Sequence, residues 1–222
     1  TDDAARQDAA DLVALLTPIA KAFMTDNGYT VTNLSQQVFG GHGYIRETGM
    51  EQFVRDARIS MIYEGTNGIQ ALDLIGRKIM MDQGQKLRKF TKIVHKFCQA
   101  HADDAAMAEF ITPLQQLLKD VTDLTMAIGM LAMNNRDEVG AAAVDYLRLL
   151  GHLVYGYFWA RMAKVALEKQ ASAPAPFYSA KLATARFYYS RLMTETAMLK
   201  ASIQSGAKNL MDIEEDAFAL GY

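Results

Sequence analysis

Apolar residues return every three or four positions along most of this chain, the spacing that marks one face of an α-helix. Leu114, Leu117, Leu118, Val121, Leu124, Ile128 and Leu131 form one such stripe. Val144, Leu147, Val154, Phe158, Met162 and Val165 form a second, and Tyr178, Leu182, Ala185, Tyr189, Leu192, Leu199 and Ile203 a third. No stretch alternates apolar and polar residues between turn-forming residues, so no strand is predicted. The pattern is that of an all-α protein, with Ala- and Met-rich helices joined by short loops into helix bundles.

Punctuation residues refine this reading. Thr17-Pro18 and Thr112-Pro113 each read as an N-cap followed by the first helical position, where the missing proline N–H costs nothing. Gln115, three residues beyond Thr112, has the spacing of a capping box. Pro174 and Pro176, in the stretch 171–176, mark a connector between helices. Gly40, Gly41 and Gly43 end a helix that arrives through Val31 and Leu34, and they allow positive φ and close approach of backbone to another group. Near Met81–Gln85 the sequence changes character, from a Gly-rich, motif-dense region to plain bundle. A soft domain boundary is therefore expected at about residue 82, dividing 1–82 from 83–222, with packing able to cross it.

Composition narrows the classes of function. At 222 residues and 50% hydrophobic, the chain can bury one or two sizeable cores. Its net charge of -2 includes no basic block able to neutralise a run of phosphates, so nucleic acid is not an expected partner. No apolar run reaches the roughly 18 residues needed for a membrane span. The single cysteine, Cys98, excludes an intrachain disulfide framework and points to a reducing, intracellular setting. The opening Thr1-Asp2-Asp3-Ala4-Ala5-Arg6 lacks the layout of a signal peptide. Without an initiating Met, it reads as a fragment or processed piece.

Candidate chemistry concentrates between Gln36 and Gln70. Glu64 follows the apolar run from Ile59 to Tyr63 and precedes Gly65-Thr66, where a new helix is expected with Thr66 as N-cap. A carboxylate among apolar and aromatic neighbours has its pKa raised by desolvation, which suits a general base. The same residue could instead simply complement a helix N-terminus. Free N–H groups at that helix start favour an anionic or electron-rich ligand. Arg55, Asp56 and Arg58 read as an ion-paired helix surface that positions the loop before Glu64. His95, Cys98 and His101 recur at three-residue intervals and so rotate around a helix, which argues against a metal site. The 13 Met residues and the run Tyr155-Gly156-Tyr157-Phe158-Trp159 read as packing. His42 and His152 have no partner discernible in sequence, and Asp212–Asp216 reads as a solvated helix start.

Three segments together resemble the C-terminal signature of the acyl-CoA dehydrogenase family. They are Gln37-Val38-Phe39-Gly40-Gly41-His42-Gly43-Tyr44, then Arg55-Asp56-Ala57, then Tyr63-Glu64-Gly65-Thr66. The resemblance covers roughly residues 12–80, and the remainder is similar to an extra C-terminal helical domain of a longer bacterial subgroup. It implies that Glu64 is the base that removes the α-proton of an acyl-CoA while a hydride leaves the β-carbon for FAD, giving a trans-2-enoyl-CoA. Gly65 then matches a position whose backbone lies against the thioester, and Tyr63 a wall that excludes water. Thr66, Asn67 and Gly68 match residues contacting FAD. Gln37, Val38, Phe39, Gly40 and Gly41 match a segment that reaches FAD from a neighbouring subunit, so a homo-oligomer is implied. An electron-transfer flavoprotein is the implied electron acceptor, and the bacterial cytoplasm the implied location. Gly68 stands where many relatives carry a larger polar residue, and Arg77 lies one place from an arginine of the classical enzymes. The family's N-terminal helical and β-barrel domains are not in this sequence, so the chain alone is expected to bind FAD weakly or not at all and to show no turnover. The competing reading is a non-catalytic helical bundle used for oligomerisation; a base kept beside two cofactor positions argues for the enzyme.

Overall fold

In a computed structural model, which describes residues 2–172 and 176–218, every regular element is helical. Helix α1 (Asp3–Val38) starts at Asp2, whose carboxylate accepts the Ala4 N–H at 3.0 Å, and Asp3 in its first turn complements the helix dipole. It ends at Phe39, because Gly40 then takes φ 57°. Two 3-10 turns, Gly40–Gly43 and Arg46–Thr48, reverse the chain so that α2 (Met50–Ile59) packs back along α1. After an irregular loop, α3 (Asn67–Leu72) runs without a break into a π-helical segment, Asp73–Met80. Gln83 and Gly84, at φ 54° and 71°, turn the chain into α4 (Gln85–Ala100). Then come α5 (Ala108–Ala132), α6 (Asp137–Ser172) and α7 (Pro176–Phe187), which passes into a second π-helical segment, Tyr188–Leu192. Helix α8 (Glu195–Gln204), a single turn α9 (Lys208–Met211) and a 3-10 turn Glu215–Phe218 follow.

Helix α6 is the axle of the molecule, touching α1, α3, α5, α7 and α8. One cluster of buried side chains runs from Leu15 on α1 to Ile203 on α8, with Leu74, Phe110 and Tyr146 fully enclosed. The core therefore passes unbroken through the turn at 81–84, where the sequence changes character. The Tyr146 hydroxyl donates to Thr125, whose own proton goes to the Val121 carbonyl.

Local expectations are overturned at several points. Pro18 and Pro113 lie inside α1 and α5 and do not start helices. Burial of Leu15 upstream of Pro18, and of Phe110 and Ile111 upstream of Pro113, outweighs one lost backbone hydrogen bond in each case. Thr17 accordingly bonds back to the Val13 carbonyl at 2.7 Å, and the capping box at Thr112 and Gln115 does not form. The α5 stripe is buried except for Leu131. The α6 stripe is largely wrong: Val144, Phe158, Met162 and Val165 are exposed, while Tyr146, Leu149, Leu150, Leu153, Ala160 and Ala163 are buried. That helix is apolar on two sides, and its small Ala side hugs its neighbours. Leu192 is exposed and Tyr188 buried because the π-helical turn adds a residue to the period. Of the connector expected at 171–176, Ala171 and Ser172 belong to α6 and Pro176 to α7, and residues 173–175 lie outside the described residues.

Candidate active site

The glycine turn forms as expected, and two of its glycines, Gly40 and Gly43, have different structural reasons. Gly40 needs its positive φ. Gly43 is buried against the end of α1, where a Cβ would stand 2.3 Å from the Gln36 carbonyl oxygen. Gln36 in turn donates its side-chain amide to the Gly43 carbonyl at 3.1 Å. The residues in front of this staple, Gln37, Val38, Phe39, Gly40 and Gly41, are all exposed.

Glu64 sits in the loop between α2 and α3 at φ 53°, followed by Gly65 at φ 82°. A left-handed conformation at a residue with a Cβ costs about 1–2 kcal/mol, so this loop stores strain at its carboxylate. The Gln70 side-chain amide donates to the Glu64 and Gly65 carbonyls, both at 3.4 Å. Thr66 occupies the N-cap position by backbone geometry, but its side chain makes no capping bond. Gly68 and Ile69 carry N–H groups with no backbone acceptor among the described residues, and open space lies over Gly68, where a Cβ would meet nothing within 4 Å. A larger residue at that position would also fit.

The expected burial of Glu64 is not supplied by this chain. Its side chain is exposed, and Ile59, Ile62 and Tyr63 are themselves 54%, 47% and 50% exposed. The apolar run that predicts a desolvated carboxylate is an uncovered surface here. Nor do the two segments expected to contact a cofactor meet within one chain. Asn67 bonds to the Lys21–Asp26 turn of α1, whereas Gln37–Gly41 straddles the C-terminal end of that helix. At 1.5 Å per residue the separation along the axis is roughly 15–20 Å. Within the predicted ion-paired surface, Asp56 accepts from Gln52 at 2.7 Å and Arg58 lies over the Tyr29 ring at 5.7 Å.

Asn67 does something sequence reasoning missed. Its side-chain oxygen accepts from Lys21 at 2.7 Å, and its amide donates to Asp26 at 2.6 Å and Thr25 at 3.0 Å. Its backbone N–H bonds to the Met61 carbonyl at 3.1 Å, closing the loop that carries Glu64. With both side-chain ends used inside the chain, Asn67 is an anchor of the loop.

A second cluster, also missed, lies behind that anchor. Arg148 makes a two-pronged bond to Glu195 at 2.5 and 2.8 Å, and Glu195 accepts from His152 at 2.9 Å. Because a carboxylate can only accept, the His152 proton sits on Nε2, leaving Nδ1 to accept from the Tyr188 hydroxyl at 3.0 Å. Burial pushes the His152 imidazole below its ordinary pKa, with Glu195 opposing. Burial works the other way on Glu195, yet the Arg148 and His152 hydrogen bonds outweigh it and hold that carboxyl below its usual range. The Arg148–His152 spacing, one helical turn, was the available signal; its partner Glu195 is too distant in sequence to be guessed. Among the other singled-out residues, Cys98 is buried and its thiol is pushed up to about 11, while His95 on the same helix is exposed.

Comparison with known proteins adds an independent line. Residues 2–80 match the family model described as acyl-CoA dehydrogenase, C-terminal domain, and residues 90–214 match the one described as acetyl-CoA dehydrogenase C-terminal like. The chain is 32% identical over 93% of its length to 3-methylmercaptopropionyl-CoA dehydrogenase from Ruegeria pomeroyi, covering 36% of that protein. It is 29% identical over 92% of its length to the broad-specificity linear acyl-CoA dehydrogenase FadE5 from Mycobacterium tuberculosis, covering 35% of it. A butyryl-CoA dehydrogenase from Syntrophomonas wolfei is 27% identical over 98% of the chain and 36% of its own length. The chain thus spans about a third of the length of the curated relatives it matches.

Proposed function

This chain belongs to the acyl-CoA dehydrogenase family, and from that premise we propose that it supplies the base of an FAD-dependent α,β-dehydrogenation of acyl-CoA thioesters. Glu64 is that base, and its carboxylate takes the α-proton. The observation that carries the reading is the strained backbone at Glu64, at φ 53°, held by a loop that Asn67 ties to α1. Strain persists only where the surroundings over-determine it, and here it falls on an exposed carboxylate that has no partner among the described residues.

The chain's own residues divide the remaining tasks. Gly65, without a side chain and at φ 82°, lets the thioester lie against backbone. Tyr63, Ile59 and Ile62 form the apolar collar that excludes water once covered. Their present exposure is what a collar looks like when the covering surface comes from outside these residues, and desolvation of Glu64 then follows. The exposed Thr66 side chain, the free N–H groups of Gly68 and Ile69, and the open space over Gly68 suit an electron-rich ring system such as that of FAD. When bound there, FAD would supply a hydride acceptor for the β-carbon, and the product is a trans-2-enoyl-CoA. Gln37–Gly41, exposed and distant along α1, would serve the flavin site of a second copy in a homo-oligomer. An electron-transfer flavoprotein is the proposed acceptor of the electrons. The chain alone, lacking its cover, would show no turnover.

The test is Glu64→Gln in the intact natural polypeptide, with acyl-CoA and an artificial electron acceptor. Turnover is expected to fall at least ~10²-fold, as for loss of a general base, with flavin content unchanged. Turnover near that of the parent would remove Glu64 from the mechanism.

A further inference from the structure

Gly151, in the middle of α6, has a neighbour that any added Cβ would force to move. A Cβ there would stand 2.3 Å from Cδ2 of Phe23 on α1. Glycine inside a helix costs about 0.5–1 kcal/mol relative to alanine, so its presence calls for a compensating contact, and the Phe23 ring provides it. That ring is 2% exposed and is gripped on several sides. His152 and Tyr155 meet it edge-on at centroid distances of 5.0 and 4.8 Å, and the Arg148 guanidinium lies 5.5 Å from its centroid. Arg148 and His152 are themselves pinned by Glu195 from α8.

The same turn of α1 faces the other way toward the loop of the base. Ala22, directly before Phe23, offers its carbonyl to the Asn67 amide at 3.3 Å, and Lys21, Thr25 and Asp26 complete the Asn67 seat. Asn67 closes the loop through the Met61 carbonyl, and Glu64 lies inside that closure. A continuous chain of contacts therefore runs from α8 and α6, through Phe23 and one turn of α1, to Asn67 and Glu64. We propose that the downstream helical bundle positions the base: α6 clamps Phe23 in the Gly151 socket, and this fixes the α1 turn on which Asn67 seats the Glu64 loop. Phe23, Gly151 and Asn67 are positioning residues on this account. The role assigned to the loop rests on the reading of Glu64 given above.

Hydrogen–deuterium exchange on this chain tests the clamp without any turnover. In Gly151→Ala the ring must move, and the amides of residues 61–70 are expected to exchange about fivefold faster, while those of the α5 core keep their protection. Adding Phe23→Leu, which shrinks the knob, is expected to restore at least half of the lost protection. In the intact natural polypeptide the same single variant is expected to lower kcat about fivefold with KM little changed. Unaltered exchange at 61–70, or equal loosening of that segment and α5, would overturn the proposal. So would failure of Phe23→Leu to restore protection. If Gly151→Ala does not fold, Phe23→Leu alone is measured in the same way: selective loosening of 61–70 supports the clamp and no loosening overturns it. Glu64→Gln with near-parental turnover would instead sink the functional reading, and the exchange result would still decide the clamp.

Discussion

Replacing Glu64 by glycine should make the protein more stable while removing its proposed chemistry. Glu64 adopts φ 53°, and its side chain has no hydrogen-bonding or ionic partner among the described residues. The contacts that hold the loop, from Gln70 to the Glu64 and Gly65 carbonyls and from Asn67 to Met61, all use backbone atoms at this end and survive the change. Relief of the left-handed conformation is worth about 1–2 kcal/mol. The greater freedom of glycine in the unfolded chain takes back about 0.4–1 kcal/mol. With each contribution at the middle of its range the net gain is about 0.8 kcal/mol, or a rise of about 2–3 °C in melting temperature for a chain of this size. Gln83 supplies an internal control, since it has φ 54° in a turn with no proposed chemistry. Urea unfolding followed by circular dichroism should give higher midpoints for Glu64→Gly and Gln83→Gly alike. If Gln83→Gly gains stability and Glu64→Gly loses it, the carboxylate is making a favourable contact, and the idea that strain is held there for function is refuted.

Two further outcomes follow from the buried polar groups. Tyr146→Phe removes the hydroxyl that donates to Thr125, whose own proton is committed to Val121, and should cost about 1 kcal/mol in urea unfolding. Stability should also fall as pH drops through about 6.5, the ordinary histidine value. The folded pKa of His152 is depressed by burial, so between that value and the ordinary one the unfolded chain binds a proton that the native chain refuses. The stabilisation is complete above the ordinary value and is lost going down toward the folded one, and His152→Gln should flatten this part of the profile.

Much of the fold was legible, for reasons that can be traced to particular residues. Helix α5 obeyed its stripe because one side of it is apolar and the other charged. Helix α6 did not, because residues 142–166 carry apolar groups on two sides and periodicity cannot choose between them; the alanines Ala142, Ala143, Ala160, Ala163 and Ala166 decide it by allowing close approach. Pro18 and Pro113 misled because a cap is a local signal worth about 1 kcal/mol, less than the burial on its far side. At the candidate site, the glycines and the Glu64 loop were placed by motif, but the solvent exposure of Glu64 was not. An apolar run reads as buried from sequence, yet the surface that would bury it need not belong to the same stretch of chain. The Asn67 seat was hidden for another reason: its partners on α1 lie more than forty residues away.

The knob of Phe23 in the Gly151 hollow sets a rule for anyone recombining such proteins. A segment cut just after the turn at 81–84 and spliced onto another member of the family would arrive with an empty hole in its longest helix, and the recipient would need a ring of the right size at the matching place to fill it. Exchange of the rear bundle between relatives is therefore governed less by the junction chosen than by one aromatic side chain sixty residues upstream of it.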